Sequence, residues 1–219
     1  MPKLSPEQLN SRLRLDWNIM QQINSPLVTI QAFRNMSDLM GRNRPVLDAV
    51  EAHKAVAYLV EYHIKSLIGP DRFHDRFDVS MDLLAGGDYP YTAPACFVIS
   101  RPVPWSPHFF PSNGAICLGE LWTAAGGNIL LAHLLVHVAK LLNFDEPDRE
   151  PSYGGWNAEA VQYWRKKMNR QPVTPGLAYP VIPPEFTHGL TADSKPLFRP
   201  VSGTPLFAPS PTLFRPVKG

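Results

Sequence analysis

The stretch SNGAICLGELW, residues 112–122, holds one of the chain's two cysteines, Cys117. It stands between Ile116 and Leu118, directly after a Ser-Asn-Gly turn. Two readings are open for it. As a small apolar residue it fills a core; as a thiolate it is a nucleophile. The residues around it decide between them.

Before it runs the irregular RPVPWSPHFFP (101–111), and before that the apolar run Ala95 to Ile99, read as a strand in which Cys96 is a core residue. YPYTAP (89–94) is a stiff, turn-rich link. Phe77, Val79, Met81 and Leu83 alternate as a half-buried strand that Gly86-Gly87-Asp88 closes, and Leu27 to Phe33 alternates in the same way. Val56 to Ile68 fits either period: Tyr58, Val60, Tyr62 and Ile64 alternate, while Val56, Val60, Ile64 and Leu67 share a helical face. Residues 36–54 are polar and carry no clear period. Ser5-Pro6-Glu7-Gln8 reads as a helix start, with Ser as cap, Pro at the first helical position and Gln three residues after the cap. Leu9, Leu13, Trp17 and Met20 then mark one apolar face, with Arg12, Arg14 and Lys3 expected off it or near its start.

After Cys117 comes a long apolar helix, Ile129 to Leu142, with Asn128 as the expected cap. His133, His137 and Lys140 share one of its faces. Two histidines at i, i+4 are compatible with a metal. Without an adjacent Glu or a third ligand, the favoured reading is a solvated face. A further helix is expected over roughly Asn157 to Met168, with Ala158, Val161 and Trp164 marking its period.

Composition narrows the classes. The chain has 219 residues, a formal net charge of +2 and no run of one sign, so electrostatics give no support to nucleic-acid binding. Two cysteines make neither a disulfide framework nor, alone, a structural zinc site, and the reading is a reducing, cytoplasmic compartment. No apolar run is long enough to span a membrane. Proline is the anomaly: 24 in all, 11 of them after Gln171. The chain therefore divides into a domain over 1–170, with an insertion at about 36–54, and a Pro-rich extended tail over 171–219. That tail repeats itself as KPLFRPV, TPLFAPS and TLFRPV, either as a flexible appendage or as repeated anchors for a partner or for the domain itself.

The order of these parts resembles the ubiquitin-conjugating enzyme family. YPYTAP is similar to that family's Tyr-Pro-Phe-x-Pro-Pro segment, and SNGAICL to its Asn-Gly-x-Ile-Cys-Leu active-site segment. His108 stands where the family's His-Pro-Asn begins, with one residue fewer before the cysteine. LLVHVAKLLNFDEPD resembles the helix ending in Leu-Leu and an acidic Pro-containing turn, and NAEAVQYW the segment in which Asn and Ala-Ala precede a Tyr. YLVEYHIKSLIGP resembles the second strand, which tips Val56 to Ile68 toward strand. The resemblance covers about residues 5–170. It implies an α+β, UBC-like fold: an N-terminal helix, an antiparallel four-stranded meander, an active-site loop, then C-terminal helices.

What it implies for chemistry is a thioester on Cys117. A thiolate at Cys117 attacks the thioester of an activating enzyme carrying a ubiquitin-like modifier, and an acceptor amine then attacks the Cys117 thioester. Such a cysteine needs a fixed, shallow, exposed setting, because donor and acceptor are both large. The chain also departs from the family. His108-Phe109-Phe110 lacks the triplet's Asn, so His108, Asn113 or a backbone N–H is left to stabilise the tetrahedral oxyanion. Gly119 stands where many members have Asp, leaving Asp145, Glu146 or Asp148 as acids for the acceptor amine. By the same resemblance Arg12 and Arg14 face the activating enzyme, while Tyr91 and the loop around Trp105 face a ligase. Divergence, insertion and tail are most similar to members from bacterial ubiquitin-like operons. There the partners are an activating enzyme, a ubiquitin-like protein, an acceptor protein and sometimes a JAB-type peptidase, in an antiviral setting. No cofactor is implied. Two alternatives stay open: an inert variant of the fold that scaffolds ubiquitin-like proteins, and a cysteine hydrolase pairing Cys117 with His133 or His137.

Overall fold

The computed structural model describes residues 4–41, 51, 53–119, 121–122, 128–145, 157–184 and 186. Glu146, Asp148, most of the expected insertion and the Leu-Phe-x-Pro repeats lie outside them.

The chain opens with α1 (Pro6–Gln22), capped as its sequence dictates: Ser5 Oγ accepts the Gln8 N–H, and Gln8 Oε1 accepts the Ser5 N–H. β1 (Val28–Phe33) follows, then a short α2 (Met36–Met40) capped by Asn35. Val56 to Ile68 resolves into two strands, β2 (Ala57–Tyr62) and β3 (Ser66–Gly69), and β3 hairpins with β4 (Arg72–His74). β5 (Phe77–Asp82) and β6 (Ala95–Val98) complete a four-stranded antiparallel sheet in the order β1-β2-β5-β6. Neighbours in that sheet are neighbours in sequence apart from the small β3–β4 hairpin. The result is a mixed α+β architecture with an N-terminal helix and an antiparallel sheet.

Strand alternation selects the core. Ile30, Val60, Val79 and Val98 stand opposite one another across the four strands, as do Val28, Tyr62 and Phe77. Against that inner face packs α3 (Leu131–Asn143), with Leu131, Leu134, Leu135, Val138 and Leu142 buried. α2 closes a small cluster of Phe33, Leu39 and Ala57 on the other face. α4 (Ala158–Lys166) forms a third cluster, where Trp164 packs with Leu67 and Phe144.

Two expectations are corrected by burial. α3 begins at Leu131, not Ile129, and Asn128 is not its cap. The acceptor for its first N–H comes from another helix: Asp16 Oδ1 accepts the Leu131 N–H at 2.9 Å. Arg12, expected off the apolar face of α1, is completely buried. Its Nε donates to Asp16 Oδ2 at 2.6 Å, and its Nη2 donates to the Tyr89 hydroxyl and the Ile129 carbonyl. The Tyr89 hydroxyl also donates to Asp16. Burial alone would weaken the guanidinium's hold on its proton, but Asp16 and Tyr89 outweigh it and the pKa is raised. This buried pair joins α1, the Tyr89-Pro90 segment and the start of α3.

Nor does packing stop at Arg170. Asn143, buried at the end of α3, bonds to Val173 and Thr174 through main and side chain and donates to the Tyr179 hydroxyl at 2.7 Å. Leu177, Tyr179, Ile182 and Phe186 pack against the main core. The first part of the expected tail is thus a strap on the same body. No helix among the described residues is long and apolar enough to cross a membrane.

Candidate active site

Cys117 is set by a ribbon added to the edge of the sheet. Residues 114–117 lie between β6 and residues 108–110, with Ala115 opposite Phe97 and Ile116 opposite Phe109. On the sheet side, Val98 N–H donates to the Gly114 carbonyl at 2.8 Å, and Ile116 N–H to the Cys96 carbonyl at 3.0 Å. On the outer side, Phe110 N–H donates to Ala115, Gly114 N–H to Phe110 and Cys117 N–H to the His108 carbonyl, each at 2.8 Å. The backbone from Gly114 to Cys117 is therefore held by hydrogen bonds on both of its edges.

Pleating then decides which side chains face out. Ile116 and Leu118 are buried, so Ala115 and Cys117 point away from the core and are half-buried. The ribbon's turn depends on two residues. Asn113 Oδ1 accepts the Ala115 N–H at 2.9 Å, closing an Asx turn. Gly114 has φ +76, and a Cβ there would sit 2.3 Å from the Val98 carbonyl oxygen. Only glycine lets the ribbon approach β6 so closely. Phe109 is completely buried and anchors the ribbon from beneath, whereas Phe110, at the triplet's third position, is exposed.

Cys96 offers the contrast. It is buried on the inner face of β6, and desolvation pushes its thiol up to about 12. At neutral pH it carries almost no thiolate.

Around Cys117 the other expected residues divide. His108 lies directly across the ribbon, joined through its carbonyl, and is half-buried. Asn113 is exposed four residues before the cysteine. Asp145 follows the end of α3, where its Oδ2 accepts from the Tyr179 hydroxyl at 2.8 Å and its N–H donates to the Lys140 carbonyl. Arg14 is exposed on α1, whereas the buried Arg12 presents nothing to a partner, which corrects the expectation for that residue. Tyr91 is half-buried, and its hydroxyl has no hydrogen-bond partner among the described residues. Trp105 is half-buried and meets Tyr163 edge-on, with ring centroids 5.4 Å apart.

The His133/His137 face is half-buried, not solvated. His133 Nδ1 accepts the Leu130 N–H, and burial lowers the imidazole pKa. Among the described residues no three His, Cys, Asp or Glu side chains are grouped to hold a metal ion.

No family model matches the chain, and no curated protein matches it. Among solved structures it is similar to one described as a novel ubiquitin-conjugating enzyme, at 17% identity and a TM-score of 0.46, over 73% of this chain and 86% of that one.

Proposed function

We propose that the chain is a UBC-like conjugating enzyme that accepts a ubiquitin-like protein as a thioester on Cys117 and passes it to an acceptor amine. The observation that carries this reading is the outward-facing, half-exposed Cys117 on a ribbon hydrogen-bonded along both edges. In the first step the Cys117 thiolate attacks the carbonyl carbon of the donor thioester. A new C–S bond forms, the old one breaks, and the activating enzyme's thiolate leaves. In the second step an amine attacks the same carbon, a C–N bond forms, the Cys117 thiolate departs and the amine loses its proton. The ribbon's open side suits two large reactants, because nothing about it requires a deep pocket.

The oxyanion of the second step calls for a donor set in place beforehand. Asn113 is the candidate whose position the turn fixes, since its Oδ1 is engaged by the Ala115 N–H and its amide N–H groups are the donors it has to offer. His108, across the ribbon, is the other. His108→Ala is expected to slow discharge to free lysine and leave loading intact; unchanged discharge removes His108 from the mechanism. Asp145 would have to give up its bond with Tyr179 to serve the amine. Asp145→Asn, slowing discharge alone, is the check on that role. Arg14, Tyr91 and Trp105 are proposed partner contacts. The proposed setting is a bacterial ubiquitin-like pathway with an activating enzyme, a modifier, an acceptor protein and, in some cases, a JAB-type peptidase.

One observation favours a second reading. The third position of the triplet, where the family's Asn would supply the oxyanion donor, carries Phe110, whose side chain can donate no hydrogen bond. An inert scaffold that binds ubiquitin-like proteins would keep such a ribbon without its chemistry. A single experiment separates the two. The protein is incubated with a ubiquitin-like protein, its activating enzyme and ATP, then run on a non-reducing gel beside a thiol-treated lane. A thiol-sensitive adduct lost in Cys117→Ala supports the enzyme. No adduct, with the partners active on another carrier, supports the scaffold.

A further inference from the structure

A groove between the second half of α1 and the start of β1 takes no part in the Cys117 site. Its floor is Trp17, Met20, Ile23, Val28 and Ile30, and exposed Gln21 and Thr29 form a polar rim. Its volume is about 280 Å³, just under the ~300–1,000 Å³ of pockets that enclose a small ligand. An apolar floor with an uncharged rim suits one or two apolar side chains better than a cofactor or a charged ligand.

The chain itself shows what such anchors look like. Over 171–186 it is proline-rich, and it holds to the body through spaced apolar residues, Leu177, Tyr179, Ile182 and Phe186. The same chemistry continues past Phe186 in Leu197-Phe198, Leu206-Phe207 and Leu213-Phe214, each pair followed two residues on by Pro. The link from Phe186 to Leu197 can extend to about 36 Å. A unit of this size has a radius of gyration of about 16 Å. One of three copies therefore has the length to reach the groove from wherever the strap ends. An anchor tethered to its own site acts at an effective concentration of roughly millimolar, and proline leaves the segment less entropy to lose on docking.

We propose that a Leu-Phe pair of the 197–214 repeat seats in the α1/β1 groove of its own chain, extending the strap that begins at Pro172. The inference is independent of the chemistry at Cys117. A partner that presents its own apolar pair to α1 at this groove would have to displace the tail.

The test uses full-length protein and a fluorescent peptide of residues 195–203, KPLFRPVSG. Three proteins are titrated: wild type, a variant carrying Phe198→Ala, Phe207→Ala and Phe214→Ala, and that variant with Thr29→Arg added at the exposed rim. The peptide is expected to bind the alanine variant about tenfold more tightly than wild type, because the tethered copies no longer compete. Thr29→Arg should remove that binding. Hydrogen exchange supplies the second readout, with amides 23–28 better protected in wild type than in the alanine variant. Equal binding to wild type and variant, binding indifferent to Thr29→Arg, or no binding with unchanged exchange would each overturn the proposal. So would protection that grows with protein concentration, since the occupant would then be a second copy.

Discussion

Cys96 and Cys117 sit on neighbouring strands, tied together by two hydrogen bonds, from Ile116 N–H to the Cys96 carbonyl and from Val98 N–H to the Gly114 carbonyl. Their chemistry diverges because of pleating. Cys96 shares the inner face with Val98 and is desolvated, with its thiol pushed up to about 12. Cys117 is one residue beyond the buried Ile116, and the alternation that sends Ile116 inward turns Cys117 outward. Neither cysteine needs a special pocket to acquire its character. A shift of one residue in the ribbon's register would exchange the exposures of residues 116 and 117. The bonds on both edges of the ribbon, and the turn that starts it, are thus what keep a thiol available at this edge.

The largest expected effect comes from substituting each cysteine separately. Cys117→Ala should abolish the thiol-sensitive adduct, whereas Cys96→Ala should keep it and lose about 1–2 kcal/mol of stability to the small cavity left behind. Adduct yield on a non-reducing gel and denaturant midpoints check the two halves. If both variants lose the adduct while folded, the contrast between the thiols is broken.

Gly114→Ala strikes the register itself. Its Cβ would meet the Val98 carbonyl oxygen, and its backbone is left-handed. A cost of about 2–4 kcal/mol is expected, along with slower loading even where the protein stays folded. Urea unfolding and loading rate measure the two.

Alkaline pH sharpens the contrast next. The raised Cys96 pKa means that the folded state holds that proton more tightly than the unfolded chain does. The resulting stability is complete below the unfolded pKa, near 9, and is lost as pH climbs toward 12. Between pH 9 and 10, before most unfolded tyrosines ionise, stability should fall with a slope approaching about 1.4 kcal/mol per unit. Cys96→Ala should flatten that slope. Above pH 10 the buried Tyr58, Tyr62 and Tyr89, all with raised pKa, steepen the loss in every variant.

The smallest effect belongs to the turn. Asn113→Ala removes the acceptor for the Ala115 N–H, an exposed bond, and should cost about 1 kcal/mol or less. Discharge to lysine should fall more than loading does if the Asn113 amide also serves the oxyanion. Equal changes in both rates would reduce Asn113 to a turn residue.

Local signals were legible in the sequence. The Ser5–Gln8 capping box, the alternation over 77–83 and the start of α4 at Asn157 all stand where short-range chemistry puts them. The Ser-Asn-Gly approach loop marks Cys117 out from the sequence alone. What could not be read depends on partners distant in sequence. Arg12 and Asp16 look like a solvated i, i+4 pair until the Ile129 carbonyl and the Leu131 N–H, more than a hundred residues away, supply the bonds that let them be buried. The same pairing explains the false start assigned to α3, since its cap comes from Asp16. Proline content led to the expectation of a tail from residue 171, yet proline only forbids helix and central strand. It leaves apolar residues such as Leu177 and Ile182 free to dock.

The grip of Asn143 on the strap decides where this chain can be shortened. Its carbonyl and side-chain amide make four hydrogen bonds to Val173, Thr174 and Tyr179. A fragment ended at Arg170 would strip away every one of those partners and uncover the apolar surface beneath Leu177 and Ile182, a combination that invites aggregation. The shortest piece that keeps the end of α3 satisfied runs through Tyr179, and one that also keeps that surface covered runs through Phe186.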